Sequence, residues 1–250
     1  MQPWVGSLVL SFCVLLGVGI SADELNHPRE YARCMGLTLS DPNEAFEMAT
    51  AWKELGGGDA AEHCASVALL HNGQPQYAAR RLEILAQKIV AEPEFKGEIL
   101  VQAGQAWLIH GDAPRAEAAL TAAIDLLRSQ PAVMIDRAQA RAAMADYQGA
   151  IDDLTIALTA DPTRVEAYIF RASAYRYLDR LDEAQRDLAD ALIRDPEAPE
   201  AFLERGMVHR LKGQDNAARD DWLRVLELDP DSEAAVYART NIEKMDVKVD

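Results

Sequence analysis

The feature that most constrains this 250-residue sequence is a dipeptide that returns at a fixed distance. Asp161-Pro162, Asp195-Pro196 and Asp229-Pro230 follow one another at intervals of 34 residues. A period of this order indicates a repeat architecture, in which one unit cannot bury its apolar face alone and packs on its neighbours. The sequence therefore predicts a stack of similar units.

Alignment on this period produces columns of residues with the same character. In the first half of each unit an arginine precedes a small residue: Arg137-Ala138, Arg171-Ala172 and Arg205-Gly206. In the second half an alanine, an aspartate and a large apolar residue recur: Ala150, Asp153 and Leu154; Ala184, Asp187 and Leu188; Ala218, Asp221 and Trp222. Three full units are therefore evident.

Each unit is interpreted as two amphipathic helices. The Asp-Pro pair ends the second helix, because proline has no N–H to donate and biases its predecessor away from the α conformation. The small residues are expected where the two helices cross, with the leucine or tryptophan filling the remaining space. Aromatic residues make up 6% of the chain, and few runs of β-branched residues remain for strands. We expect an all-α protein.

These columns resemble the tetratricopeptide repeat family, whose unit has small residues at positions 8 and 20, a large apolar residue at 24 and a proline at 32. The resemblance implies a right-handed superhelical solenoid of helix-turn-helix repeats. It covers about residues 59–232. The units are 131–164, 165–198 and 199–232, preceded by 97–130, which lacks only the terminal proline, and by a degenerate unit over 59–96.

The flanks of the repeat array are expected to be helical as well. Residues 23–58 predict an N-terminal helical segment with helices at 28–35 and 43–55, ended by three glycines at 56–58 that offer a hinge. The residues before Gly97, including Pro93, are expected to form a longer joint between units. Residues 233–250 are interpreted as a capping helix and tail, since Ala235, Ala238, Ile242 and Met245 lie on one helical stripe.

An apolar, uncharged run over residues 4–20 precedes the acidic pair Asp23 and Glu24. This pattern is typical of a signal peptide, assigned to residues 1–22, although no Lys or Arg precedes the run. An uncleaved anchor is the alternative, but the run is shorter than the roughly 20 residues of a spanning helix. We expect export, to the periplasm if the source is bacterial and otherwise into the secretory pathway, with no stable membrane span after cleavage.

Loss of that segment would leave two cysteines, Cys34 and Cys64. We expect one structural disulfide, because an exported protein is oxidised and this spacing differs from the CxxC of redox-active pairs. Two buried free thiols are the alternative. His63 and His71 accompany Cys64, but no second pair at ligand spacing does, so neither a metal nor another cofactor is expected.

Charge limits the class of partner. The chain has 41 acidic and 25 basic side chains, a formal charge of -16, and no compensating cluster of Lys and Arg. Such a surface repels phosphate backbones, which excludes nucleic acid and favours a neutral to basic protein or peptide.

The repeated arginines and aspartates are predicted to form structural ion pairs rather than a charged ligand site. One pair per unit is expected: Arg137 with Asp153, Arg171 with Asp187 and Arg205 with Asp221. A bidentate pair of this kind sets the register of the two helices more than it adds net stability.

The family resemblance implies that first-helix residues line a concave, partner-binding groove. In this sequence we interpret those positions as mostly neutral or apolar, with aromatics, Met and Arg of the kind found at protein interfaces. The candidates are Gln102, Gln105, Gln139, Phe170, Ser173, Arg176, Tyr177, Met207 and Arg210. Ile135, Ile169 and Leu203 are expected to pack between units, and the Lys and Asn set with which some relatives bind C-terminal carboxylates is absent.

Catalytic motifs are also absent: no GxSxG elbow, no HExxH and no phosphate-binding loop ending in Lys occur. The sequence therefore favours a non-catalytic scaffold or adaptor of the cell envelope. One alternative is a subunit of an oligomer or multi-protein machine, docked through its N-terminal segment. Another, less favoured, is a thiol- or metal-dependent factor that uses Cys34, Cys64 and His63. The oligomeric state, the partner and the pathway stay open.

Overall fold

The computed structural model describes residues 27–127 and 130–246, and all regular secondary structure in these ranges is helical. The all-α prediction is confirmed. The predicted signal peptide over 1–22 lies outside the described residues. The helices are α1 (His27–Ser40), α2 (Pro42–Trp52), α3 (Gly58–His71), α4 (Pro75–Lys88), α5 (Pro93–His110), α6 (Ala113–Leu127), α7 (Pro131–Ala143), α8 (Tyr147–Ala160), α9 (Val165–Tyr177), α10 (Leu181–Arg194), α11 (Pro199–Leu211), α12 (Asp215–Leu228) and α13 (Glu233–Asp246).

The helices pack in chain order as helix-turn-helix hairpins. Within each hairpin from α3 onward we call the first helix A and the second helix B, so that α3, α5, α7, α9 and α11 are A helices and α4, α6, α8, α10 and α12 are B helices. The A helices α5 to α11 also contact one another in order, and α11 contacts α13. The A helices thus form one continuous side of the protein, here called the helix-A face.

The turn inside each hairpin contains one residue in the left-handed conformation. The φ angles are +70° at Gly73, +86° at Gly111, +62° at Ala145, +58° at Asp179 and +73° at Gly213. Glycine adopts this conformation without a steric penalty, whereas an L-residue with a Cβ does not. The turns after α7 and α9 are therefore strained relative to the others.

The hairpins cross where the sequence predicts small residues. A Cβ on Gly104 would lie 2.5 Å from Cγ of Leu120, and one on Gly206 would lie 2.7 Å from Cδ1 of Trp222. The two units between them have alanine and leucine at these positions: Ala138 with Leu154, and Ala172 with Leu188. Both alanines are buried. Each crossing therefore admits only a small residue on its A helix.

Bidentate ion pairs join the two helices of the last three hairpins. Each arginine donates from Nε and Nη2 to both carboxylate oxygens at 2.6–2.9 Å: Arg137 to Asp153, Arg171 to Asp187 and Arg205 to Asp221. All three aspartates are buried. The pairing fixes how far helix B can slide along helix A, because a shift would leave a buried carboxylate unpaired.

The N-terminal segment is joined covalently to the first hairpin. Cys34 of α1 and Cys64 of α3 form a disulfide with a Cα–Cα distance of 6.2 Å. Of the three glycines predicted as a hinge, Gly57 ends a π-helical turn and is closely packed, since a Cβ on it would lie 2.8 Å from Cβ of Ala61 and Cδ2 of Trp52. A Cβ on Gly56 or Gly58 would meet no atom within 4 Å, and both have positive φ angles, so the segment is filled at Gly57 alone.

Three boundaries differ from the sequence prediction. Helix α2 ends at Trp52, three residues before its expected end, and a π-helical turn follows it. Helix α1 continues to Ser40, five residues beyond its expected end, and Asp41 then caps α2 by accepting a hydrogen bond from the backbone N–H of Glu44 at 2.9 Å. The expected joint before Gly97 is shorter than predicted, because Pro93 is the first residue of α5. Proline is compatible with the first helical turn, where its missing N–H has no partner to lose.

The C-terminal helix covers the last hairpin. Ala234, Ala235 and Ala238 of α13 are buried against Trp222 and Val225 of α12, with Ile242 and Met245 packed beside them. This is the apolar stripe that the sequence predicts for a capping helix. In the described ranges, none of these helices combines the length and apolar character that a bilayer crossing requires.

Candidate protein-binding surface

A pocket of about 260 Å³ lies between α7, α8 and α9. Its lining contains Gln139 of α7, Tyr147 of α8, and Phe170, Ser173 and Tyr177 of α9. The rest of the lining is four alanines and a leucine, whose small or buried side chains leave the space open. Four of the nine predicted groove residues therefore meet at one place: Gln139, Phe170, Ser173 and Tyr177.

The aromatic wall of this pocket is held from three helices. The rings of Tyr147 and Tyr177 stack in parallel with their centroids 4.6 Å apart. The guanidinium of Arg176 lies 4.4 Å from the Tyr177 centroid, and its Nε donates to Oε2 of Glu204 on α11 at 2.8 Å. Phe170 and Tyr177 nevertheless remain 37% and 57% exposed. The pocket thus offers apolar surface to solvent from side chains that are already ordered.

Two predicted groove residues on α5 are engaged by other side chains. Oε1 of Gln102 lies 2.7 Å from Nε2 of His63, and Nε2 of Gln105 donates to Oδ2 of Asp136 at 2.9 Å. Burial raises the pKa of Asp136, and the hydrogen bond from Gln105 acts in the opposite direction. The α5 residues are therefore apart from the pocket and already have partners.

The two predicted residues on α11 also lie outside this pocket. Met207 packs against the apolar cluster that contains Trp222. Arg210, near the end of α11, pairs at 2.6 Å with Asp215, the first residue of α12, and both side chains are exposed. The nine candidates thus do not form one site, and Arg176 takes part as a support for Tyr177 rather than as a lining residue.

The prediction that this face is mostly neutral or apolar is wrong, because several carboxylates line it. A second pocket, of about 380 Å³, lies between α9 and α11 and is lined by Glu166, Phe170, Asp195 and Glu200 among apolar residues. A third, of about 270 Å³, is lined by Glu200, Leu203, Glu233, Ala234 and Tyr237, between α11 and α13. Phe170 is common to the first and second pockets and Glu200 to the second and third, so the three adjoin.

Sequence reasoning missed Tyr147, Glu166 and Glu200. The two glutamates occupy the second position of their units, one of the positions that the family resemblance assigns to the groove, so a signal was present in the sequence. Tyr147 is the first residue of a B helix, outside those positions. It stacks on Tyr177 and packs against the core of the surrounding hairpins.

The residues of the thiol or metal alternative are fully engaged. Cys34 and Cys64 are bonded to each other. Nδ1 of the buried His63 lies 2.6 Å from the Tyr31 hydroxyl, and its Nε2 faces Gln102. Burial lowers the pKa of His63, which favours a neutral ring that accepts from Tyr31 at Nδ1 and donates to Gln102 from Nε2. Neither nitrogen retains a lone pair for a metal, and the arrangement opposes this alternative.

The profile of the tetratricopeptide repeat family matches residues 171–233. This stretch runs from α9 to the first residue of α13 and contains two of the three bidentate ion pairs. The chain has the tetratricopeptide repeat fold. No curated protein shows significant similarity to the sequence.

Solved tetratricopeptide repeat structures superpose on most of the chain at low identity. MamA residues 41 to the end from Desulfovibrio magneticus RS-1 is 22% identical, with a TM-score of 0.61, covering 70% of this chain and 97% of that one. A thermophilic TPR protein of Thermus thermophilus is 17% identical, with a TM-score of 0.60, covering 74% and 100%. One chain of the APC/C hetero-tetramer Cut9-Hcn1 is 15% identical, with a TM-score of 0.65, and the match covers 88% of this chain and 44% of that one. At such identities the shared property is the fold.

Proposed function

We propose that this tetratricopeptide repeat protein is a non-catalytic scaffold of the cell envelope that binds a segment of a partner protein on its helix-A face. The observation that carries the proposal is the pocket between α7, α8 and α9, with Phe170 and Tyr177 exposed on its walls. Aromatic residues in preformed pockets carry much of the binding energy of protein interfaces.

The chemistry of the pocket favours a peptide segment as the ligand. Its apolar lining accepts a side chain, and the amide of Gln139 matches the hydrogen-bonding groups of a peptide backbone, whereas the hydroxyl of Ser173 already donates to Glu204 at 3.4 Å. The A helices extend the surface on both sides of this pocket, which suits an extended or helical segment longer than one side chain.

Two observations support an envelope location. The apolar run over residues 4–20 is typical of an export signal, and the Cys34–Cys64 bond belongs to an oxidising compartment. In a bacterium the compartment would be the periplasm, and otherwise the secretory pathway.

Affinity capture from the envelope fraction, quantified by mass spectrometry, tests the proposal. The Phe170→Ala/Tyr177→Ala variant removes the exposed aromatics of the pocket. An Ile193→Ala/Leu223→Ala variant is the matched control, because both residues are exposed apolar side chains, on the B helices α10 and α12. Both variants must retain the wild-type circular dichroism spectrum.

We expect a direct partner whose recovery falls about tenfold or more with the Phe170→Ala/Tyr177→Ala variant and is unchanged with the control, as for interface hot spots. Recovery that both variants share with the wild type would contradict the proposal and favour docking through the N-terminal segment. Concentration-dependent sedimentation without any partner would favour an oligomeric subunit.

A further inference from the structure

The partner's chemistry can be read from what adjoins the aromatic pocket. We infer that the bound segment carries an apolar side chain for the pocket between α7, α8 and α9 and a lysine or arginine for the pocket between α9 and α11. This inference rests on the proposed function and specifies its ligand.

The second pocket is built to attract a cation. Three carboxylates, Glu166, Asp195 and Glu200, line it together with apolar side chains of Val165, Ile169, Phe170 and Ala198. Apolar walls suit the methylene stem of Lys or Arg, and carboxylates at the rim suit its charged head.

The cation that the carboxylates need is largely missing from the protein itself. Within the described residues, no Lys or Arg lines any of the three adjoining pockets. Glu166 has one ion pair, with Arg164 at 3.3 Å, and Asp195 accepts a hydrogen bond from the backbone N–H of Glu197. Glu200 has no ion-pair partner among the described residues. A cationic side chain from outside would therefore meet uncompensated negative charge.

The aromatic pocket has the opposite character, which separates the two specificities. Its lining contains no charged residue within the described part of the chain, and its polar groups are neutral. Burial of a charged side chain there would cost its hydration without the gain of an ion pair from the lining, whereas burial of an apolar side chain is favourable. The two pockets thus select different side chains of one ligand.

Helix geometry sets the spacing of those side chains. Residues 165–170 of α9 line the second pocket and residues 170–177 line the first, so along the axis of α9 their centres are offset by about six residues, or about 9 Å. The two pockets also lie on opposite sides of α9, which adds a lateral offset of about one interhelix distance and gives a separation of about 13 Å. An extended segment covers about 13 Å in four residues. The expected motif is therefore an apolar residue with a basic residue about four positions away.

Selection from a random-peptide display library on the purified protein tests this motif. We expect the enriched peptides to combine an apolar residue with Lys or Arg at about that spacing. Fluorescence polarisation of one enriched peptide then measures affinity for three variants. Ala142→Leu fills the aromatic pocket, Glu166→Gln/Glu200→Gln removes charge from the second pocket, and Asp220→Asn/Glu243→Gln makes the same charge change at exposed positions outside the pockets.

The expected result is an affinity loss of about tenfold or more with each pocket variant and little change with the charge control. The wild-type affinity should also fall as salt is raised, and this salt dependence should weaken in Glu166→Gln/Glu200→Gln. All variants are first shown to share the wild-type urea midpoint within error.

The outcomes separate this inference from the proposed function. Peptides that need the aromatic pocket but show no preference for Lys or Arg, or bind Glu166→Gln/Glu200→Gln as well as the wild type, would overturn the basic-residue inference and leave the scaffold proposal standing. Peptides indifferent to both pocket variants, or no enrichment at all, would count against both.

Discussion

Single residues at the hairpin crossings illustrate how one side chain dictates another. Trp222 stands where the two preceding units have leucine, and the facing residue is Gly206, where those two units have alanine. The indole Nε1 of Trp222 donates to the backbone oxygen of Leu203 at 3.3 Å, which holds the ring against α11. At this crossing a larger residue in helix B is thus matched by a smaller one in helix A.

Replacement of Gly206 by alanine should therefore lower stability, although alanine is the better helix former. We expect a loss of about 1–3 kcal/mol, as for other overpacked sites, measured by urea unfolding. In a Trp222→Leu background, which recreates the Ala-Leu pair of the two preceding units, the same change should be nearly neutral or stabilising. Equal effects in both backgrounds would refute the steric explanation.

The left-handed turn residue Ala145 makes the opposite prediction for a glycine substitution. Ala145→Gly should stabilise the protein by about 0.5–1 kcal/mol, because the φ of +62° carries no penalty for glycine. Ala143→Gly, at the end of α7, is the matched control and should destabilise by about 0.5–1 kcal/mol, the ordinary helical cost of glycine. Thermal unfolding of both variants should give midpoint shifts of opposite sign.

At the scale of the element, Asp153 shows how a buried carboxylate holds two helices together. It accepts from Nε and Nη2 of Arg137, and Nη1 of Arg141 lies 3.0 Å from its Oδ2. Only 1% of Asp153 is exposed. Removal of its charge would leave two guanidinium groups at the α7–α8 crossing without their main partner.

The Asp153→Ala variant should therefore lose about 3–5 kcal/mol of stability, the range measured when one member of a buried pair is removed. Asp152→Ala is the control: Asp152 is exposed and, among the described residues, accepts a hydrogen bond only from Gln148 in the same helix, so we expect a change within about 0.5 kcal/mol. Urea unfolding measures both losses. Comparable losses from the two variants would show that burial of the ion pair does not explain the loss of stability.

The ion pair between Glu62 of α3 and Arg81 of α4 should make the free energy of unfolding depend on pH. Hydrogen bonds from Arg81 at 2.6 and 2.9 Å, with a smaller contribution from Lys53, lower the pKa of Glu62 to about 2 from an ordinary value of 4.5. Because the folded state holds the lower pKa, the stabilisation is complete above about pH 5.5 and is lost as the pH falls through 4.5 towards 2.

The stability difference between wild type and Glu62→Gln should accordingly be constant near neutral pH and shrink progressively below about pH 5. Urea unfolding at several pH values measures it. In an Arg81→Gln background the pH-dependent part of that difference should become smaller. A difference that grows on acidification would have the wrong sign for this carboxylate.

The helices and their pairing could be predicted from the sequence because they depend on local, periodic signals. The columns of Arg137, Asp153 and their equivalents determine the hairpin register, and the Asp-Pro pairs mark where helices end. The residues of the binding surface could be predicted less well. Tyr147 stacks on a ring 30 residues away in sequence, and the side chain of Gln102 is paired with His63. Periodicity does not encode such contacts between units.

At the scale of the whole molecule, the repeat array is held by contacts between adjacent hairpins, with the Cys34–Cys64 disulfide near its N-terminal end. Each hairpin contacts chiefly the hairpins beside it, so a local loss of stability should spread only a short distance. The Cys34–Cys64 bond closes a loop with a sequence separation of 30. On the chain-entropy model such a bond contributes about 3–4 kcal/mol.

Removal of that bond in a Cys34→Ala/Cys64→Ala variant should therefore loosen the N-terminal part selectively. We expect faster amide hydrogen exchange in α1, α2 and α3, with little change in α9 to α12. Reduced wild-type protein should behave in the same way, which excludes an effect of the substitutions themselves. Uniformly faster exchange along the whole chain would indicate one cooperative unit instead of a nearest-neighbour array.

The same bond limits how far the polypeptide can be drawn out by force. If the protein is pulled from its two ends, every hairpin can unravel, but the chain between the linked cysteines cannot lengthen beyond the 6.2 Å that separates their Cα atoms. At about 3.4 Å per extended residue, the 30-residue separation hides about 100 Å of contour length. Reducing agent should release that hidden length as one additional step.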